Sequence, residues 1–182
     1  MKFFSSKSNR LFQDSYYLAV AMMAMTGVIA CSNHLVKIPL NKWVTWGAIT
    51  YPFSFFITET VNRFYGPKNA RRIAYSGFLT AIILGYIFLD ARIARASSVA
   101  FLASQLLDIA IFNRLRRGAW WLAPLSASIL ASLVDTLVFF YLAFYGHNTD
   151  WLKLGLGDLA IKLIMDVLLL MPFRWFLFSS EN

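Results

Sequence analysis

The chain has 182 residues, of which 59% are hydrophobic and only 14% charged, and its formal net charge is +8 at pH 7. So little charge over this length excludes an ordinary water-soluble domain and marks an integral membrane protein. The positive balance does not point to nucleic acid, because Lys and Arg fall mostly in short gaps between apolar runs, the arrangement that sets membrane orientation. Cys31 is the single cysteine, which rules out an internal disulfide and a cage of several thiolates around a metal.

The N-terminal segment, residues 1–15, reads as a short basic tail, and the apolar run after it is too long for a secretory signal. A hydrocarbon core about 30 Å thick needs roughly 20 apolar residues per helix. On that measure the sequence predicts about six spans: Tyr16 to Val36, Trp43 to Asn62, Ile73 to Leu89, Ala94 to Phe112, Ala119 to Tyr145 and Leu154 to Phe178. The connections are short and hold no linker, so residues 1–182 read as a single transmembrane domain, an all-α compact bundle.

Eleven Lys and Arg residues fall on one side of these spans (Lys2, Lys7, Arg10, Arg63, Lys68, Arg71, Arg72, Arg114, Arg116, Arg117 and Arg174). Five, namely Lys37, Lys42, Arg92, Arg95 and Lys153, fall on the other. The positive-inside rule then puts both termini in the cytoplasm. Trp43, Trp46, Trp120, Trp121, Trp151 and Trp175 all lie near span ends, where amphipathic rings sit, and His34 and His147 read as interfacial for the same reason.

Polar residues inside the spans carry the functional argument. Each ionisable group at a helix centre costs about 2.5–3.5 kcal/mol on insertion scales, so such groups face an internal cavity or polar path. The second span has Thr58, Glu59 and Asn62, with Pro52 earlier, where a missing donor is expected to kink the helix and free a carbonyl. The fourth has Ala96, Ala100, Ser104 and Asp108 at intervals of four, with Gln105 beside them. In the fifth, Ser128, Ser132, Asp135 and Thr136 share a face, and in the sixth Asp158, Lys162 and Asp166 form a row in which the lysine can pair with either acid. Two readings of Glu59 and Asp108 stay open: substrate contact, or ion pairs with Arg63 and Arg114 near the span ends. Asp158 likewise suits either a helix cap or a substrate contact.

Particular strings then narrow the class. Cys31 to Val36, Thr45-Trp46-Gly47-Ala48, Thr58-Glu59, Arg63-Phe64-Tyr65-Gly66 and Ala70-Arg71-Arg72 resemble the first half of the queuosine precursor transporter family, a group of vitamin uptake transporter-like proteins. Arg92-Ile93-Ala94, Gln105 with Asp108, Phe112 to Arg116, Trp120 to Pro124, Asp135-Thr136 and Asp158 with Lys162 follow in the family's order. The short connection from Leu89 to Arg95, and Asn62 and Asp166, depart from its pattern.

The resemblance implies a multi-pass importer in the bacterial inner membrane, taking up 7-cyano-7-deazaguanine, and its 7-aminomethyl counterpart, for tRNA queuosine synthesis. It also implies a fold similar to the substrate-binding components of energy-coupling-factor transporters. A deazapurine presents donors, acceptors and a flat ring, so its site needs a carboxylate, an amide and aromatic faces. The expected substrate-binding residues are Glu59 or Asp108 for the ring N–H and amine edge, Gln105 and Asn33 for the carbonyl and pyrrole edges, and Asp135 and Lys162, the lysine balancing Asp135 or Asp158. Phe55, Tyr51 and Trp46 are the candidates for stacking.

No cofactor or metal is expected, since neither histidine is near the acids in sequence. No G-x-x-x-x-G-K-[ST] string is present and the alanines of the first span lack the Ala-x-x-x-Ala spacing, which favours a stand-alone carrier, facilitated or proton-linked, over one driven by an ATPase module. The alternatives are the binding component of such an ATPase-driven vitamin or nucleobase transporter, a membrane enzyme using Asp135 and Asp166 on lipid, and a purely structural protein. The sequence leaves a homo-oligomer open.

Overall fold

The computed structural model describes residues 2–36, 38, 40, 44–146 and 150–181, with side chains from 15 to 179 within those ranges. Lys37, Lys42, Trp43 and His147 lie outside the described residues, as do the side chains of Lys2, Lys7 and Arg10. The described regular structure is helical: α1 (Lys2–Leu35), α2 (Trp46–Thr50), α3 (Pro52–Phe88), α4 (Ala91–Leu115), α5 (Leu122–Phe144) and α6 (Trp151–Glu181). Three segments are long and apolar enough to cross a membrane, Ser15–Leu35, Ala91–Leu115 and Leu122–Phe144. The other two long helices, α3 and α6, are interrupted or diluted, α3 by a break at Gly66 and α6 by Asp158, Lys162 and Asp166.

Two details differ from the sequence expectation. The basic N-terminal segment is a helical extension of the first apolar segment, since α1 starts at Lys2. The expected second span is split at Pro52, which lacks the N–H that would return to the Ala48 carbonyl, so that α2 ends at Thr50 and α3 begins at Pro52.

Where a loop of about ten residues was expected after Asn62, the chain instead changes direction at one residue. Gly66 has φ 82° and ψ 169°, a region essentially restricted to glycine, and Pro67 restarts the helix with its φ already set. Pro67 has no N–H for the Arg63 carbonyl. Arg116 supplies the donor, Nη2 to O at 3.1 Å, while Arg63 Nη1 donates to the Arg116 carbonyl at 2.9 Å. This reciprocal clasp ties the break in α3 to the α4–α5 turn.

Packing explains which helices are neighbours. Met25 and Ile29 of α1, Val61, Ala70, Ile73, Ala74 and Ala81 on both halves of α3, and Phe101 and Ile109 of α4 form one buried cluster. Gly77 permits the closest approach in it, because a Cβ there would lie 2.7 Å from Phe101 Cζ and 2.9 Å from Met25 Cγ. Phe112, Ala123, Ala127 and Phe173 form a second cluster among α4, α5 and α6. The first half of α3, α4 and α6 run from the end that carries the α3–α4 and α5–α6 connections, called the upper end below, towards the Gly66 end, and α5 runs back.

Candidate functional site

The small-residue and polar stripes expected from the sequence all face inward. Ala96, Ala100, Ser104 and Asp108 of α4 are buried, and so are Ser128, Ser132, Asp135 and Thr136 of α5 and Lys162 and Asp166 of α6. Helical pitch then sorts the expected site residues into three levels.

At the upper level a cavity of about 60 Å³ is lined by Ser32, Asn33, Val36, Thr45, Gly47, Ala48, Tyr51, Leu89, Ile93, Ser97, Ala100, Asp135, Phe139, Asp158 and Lys162. Its floor is an ionic network. Lys162 Nζ lies 2.8 Å from Asp135 Oδ2 and 2.5 Å from Asp158 Oδ2, and donates to Thr136 Oγ1 at 3.3 Å. Asp135 Oδ1 accepts from the Tyr51 hydroxyl at 2.6 Å and from Ser104 at 3.3 Å. The ammonium also sits 5.0 Å from the centre of the Tyr51 ring, a cation–π contact. Every donor of Lys162 is used, and both oxygens of Asp135 are engaged.

Asp158 differs. Thr136 donates to its Oδ2 at 3.1 Å, alongside Lys162, and its side chain keeps 15% exposure among the lining residues. Two carboxylates against one ammonium leave the network one negative charge in excess. Across the cavity, the buried Nδ2 of Asn33 has no hydrogen-bond partner, and Ser32 shares its hydroxyl with Thr50 at 2.8 Å. The cavity therefore combines an available carboxylate edge, an unused amide donor and the rings of Tyr51 and Phe139.

At the middle level Gln105 is closed off by neighbours. Thr58 donates to its Oε1 at 2.6 Å and its Nε2 donates to Ser54 at 3.0 Å, so both ends of the amide are satisfied within the bundle.

The lower level is acidic. Glu59, Asp108 and Asp166 interact there, with Asn62 one turn further along α3. Neither Glu59 nor Asp108 forms an ion pair among the described residues. Arg63, expected as a partner for Glu59, is committed to the Arg116 carbonyl instead. Ser132 donates to Asp166 Oδ2 at 2.9 Å and Asn62 Nδ2 to the Ile109 carbonyl at 3.2 Å. Glu59 Oε1, both oxygens of Asp108, Asp166 Oδ1 and Asn62 Oδ1 are buried without a partner.

Of the six expected substrate residues, the structure thus brings Asn33, Asp135 and Lys162 to one cavity, and places Gln105 one level below and Glu59 with Asp108 below that. Among the stacking candidates only Tyr51 lines the cavity. Phe55 is buried beneath it, edge-on to Tyr51 at 5.7 Å, and Trp46 is exposed on the other side of its helix. Among the remaining lining residues, Asp158 adds a carboxylate and Phe139 a ring. The i, i+4 relation of Asp158 to Lys162 was the signal for the first, whereas one phenylalanine among 17 gave no signal for the second.

A helical membrane protein with a charged network under an internal cavity has the build of a transporter. Comparison with known proteins agrees. Residues 45–91 and 86–176 match the family described as "Putative vitamin uptake transporter". The "Queuosine precursor transporter" of Escherichia coli (strain K12) is 33% identical over 175 residues, spanning 80% of this chain and 79% of that one. The "Probable queuosine precursor transporter" of Haemophilus influenzae (strain ATCC 51907 / DSM 11121 / KW20 / Rd) is 33% identical over 187 residues, with the same coverage. That of Bacillus subtilis (strain 168), under the same description, is 28% identical over 155 residues, 68% of this chain and 67% of the relative. No solved structure matches. The protein is a membrane transporter rather than an enzyme. Within that class, the chain belongs to the queuosine precursor transporter family.

Proposed function

We propose that this protein imports a queuosine precursor, 7-cyano-7-deazaguanine and its 7-aminomethyl counterpart, across the bacterial inner membrane. In this reading the chain is one transmembrane domain of six spans, with α2 and the first half of α3 as the second and the remainder of α3 as the third, and with both termini in the cytoplasm. Its arrangement is that of the substrate-binding components of energy-coupling-factor transporters. The names of the relatives support the substrate class, and the excess of Lys and Arg at the Gly66 end supports the orientation.

The observation that carries the substrate reading is the pairing of an available carboxylate edge at Asp158 with the unpartnered Asn33 amide across one cavity. A carboxylate accepts from the ring N–H and exocyclic amine of a deazaguanine, and an amide N–H donates to its carbonyl. Tyr51 and Phe139 flank the ring plane, while Asp135 and Lys162 hold Tyr51 and Asp158 in position. About 60 Å³ has room for a few waters, so a bicyclic guest requires Val36, Leu89 and Ile93 at the upper rim to move outward.

Expression in cells that neither synthesise the precursor nor have a carrier of their own tests the proposal. At low external precursor, queuosine returns to the tRNA of cells making this protein. Well-inserted protein with no queuosine in tRNA refutes it.

A further inference from the structure

The lower acidic level has no task in the substrate cavity, and its chemistry is unusual. The groups facing Glu59 from packed elements are Asp108 of α4, Asp166 of α6 and Ser128 of α5, and Ser132 of α5 donates to Asp166. Among the described residues, the cation acting on Asp166 is Lys162, which reaches it only through space and is already bound to Asp135 and Asp158. Carboxylates are acceptors only, so three of them together, with Asn62 Oδ1, make a set of buried acceptors short of donors. A buried charge without a partner neutralises rather than persists. A proton on any of these carboxyls converts an acceptor into a donor and lets it pair with its neighbour.

The space beside them sets the size of the ligand. Glu59 and Asp166 line a cavity of about 10 Å³ with Pro52, Phe55, Phe56 and Ser128, room for one water at most. Among the described residues, no three acidic, histidine or cysteine side chains are placed to hold a metal ion. Above the cluster, Ser54 and Thr58 of α3, Tyr51 just before it, and Ser104 and Gln105 of α4 continue the polar column to the substrate cavity.

We propose that Glu59, Asp108 and Asp166 form a proton-binding site, separate from the substrate cavity, through which proton entry drives precursor uptake. The proposal rests on the transport reading above and assigns its driving ion. Loading and unloading this site changes the charge at the foot of the polar column, two levels below the guest, so the two occupancies are linked through α3, α4 and α6.

Purified protein in vesicles, supplied with labelled 7-cyano-7-deazaguanine at clamped membrane potential, tests it. An inward acid gradient raises the wild-type uptake rate several-fold over the rate without a gradient, and that ratio falls to parity in Glu59→Gln and Asp108→Asn. Unchanged wild-type uptake, an unchanged ratio in both variants, or a sodium gradient that substitutes for the acid gradient overturns the proposal. A substrate-free measurement separates its failure from failure of the transport reading. Infrared spectra of the wild type at neutral pH contain the C=O stretch of a buried protonated carboxyl, which weakens in Glu59→Gln and in Asp108→Asn. Absence of that band overturns the proton site even where transport is normal, and its presence supports the site even where no precursor is carried.

Discussion

Replacing Lys162 with methionine isolates the ionic network beneath the cavity. The wild-type network holds two carboxylates against one ammonium, at 2.8 and 2.5 Å, with side chains 5% exposed for Lys162 and Asp135. Lys162→Met leaves the buried Asp135 and the partly exposed Asp158 side by side with no counter-charge, and breaking a buried pair from one side costs about 3–5 kcal/mol. For a chain of this length each kcal/mol moves Tm by about 2–4 °C, which gives a fall of roughly 6–20 °C. Asp158→Asn does the opposite: it removes the excess negative charge and keeps the Lys162–Asp135 pair, so its Tm stays within about 4 °C of wild type. Thermal unfolding of the three purified proteins in one detergent, followed by intrinsic fluorescence, compares them directly. Lys162→Met melting with the wild type, or Asp158→Asn falling as far as Lys162→Met, refutes the charge balance described for the network.

Two glycines and one surface acid give further tests. Gly66→Ala meets no neighbouring atom, so its cost is purely conformational, about 1–3 kcal/mol, and appears as a lower Tm with an unchanged spectrum of secondary structure. Gly77→Ala fails for a different reason, since its Cβ overlaps Phe101 and Met25. The expected loss is about 1–3 kcal/mol by the same unfolding assay, and a Phe101→Leu background relieves part of it. Asp150, in the connection before α6, is held below the usual aspartate range chiefly by its hydrogen bond with Lys153. A depressed folded value stabilises above the unfolded value, and that contribution is lost as pH falls through the folded one. A Tm difference between wild type and Asp150→Asn is therefore present at neutral pH, shrinks with added salt and disappears in acid.

The stripes on α4, α5 and α6 were legible because 3.6-residue periodicity fixes which side chains share a face, and polar groups in an apolar helix have few places to go. The Lys162 pairing was legible for the same reason, as either acid lies within one turn. Depth was not. Pitch gives the spacing along each helix, but periodicity does not fix how one helix is set vertically against the next, so residues expected around one chamber occupy three levels. Asn62 and Asp166, which depart from the family pattern, lie at the lowest of them, and Asp166 interacts with Glu59 and Asp108. The Gly66 break was hidden by its economy: the Arg63-Phe64-Tyr65-Gly66 string and the basic residues after it read as a loop, whereas one glycine and one proline turn the helix and Arg116 supplies the missing donor. Asp158 was divided between cap and contact because its i, i+4 relation to Lys162 fits either, and its second partner, Thr136, comes from another helix, which no local pattern shows.

Equilibrium binding of labelled 7-cyano-7-deazaguanine to purified wild type and Asp158→Asn puts the central claim to its most direct test. A hydrogen bond to a charged group contributes about 1.5–3 kcal/mol, or roughly 10- to 150-fold in Kd. The wild type is expected to bind saturably at one site, and Asp158→Asn to bind weaker by that factor while melting within a few degrees of wild type. No saturable binding to the wild type, or equal affinity in the two proteins, contradicts a substrate site at this cavity.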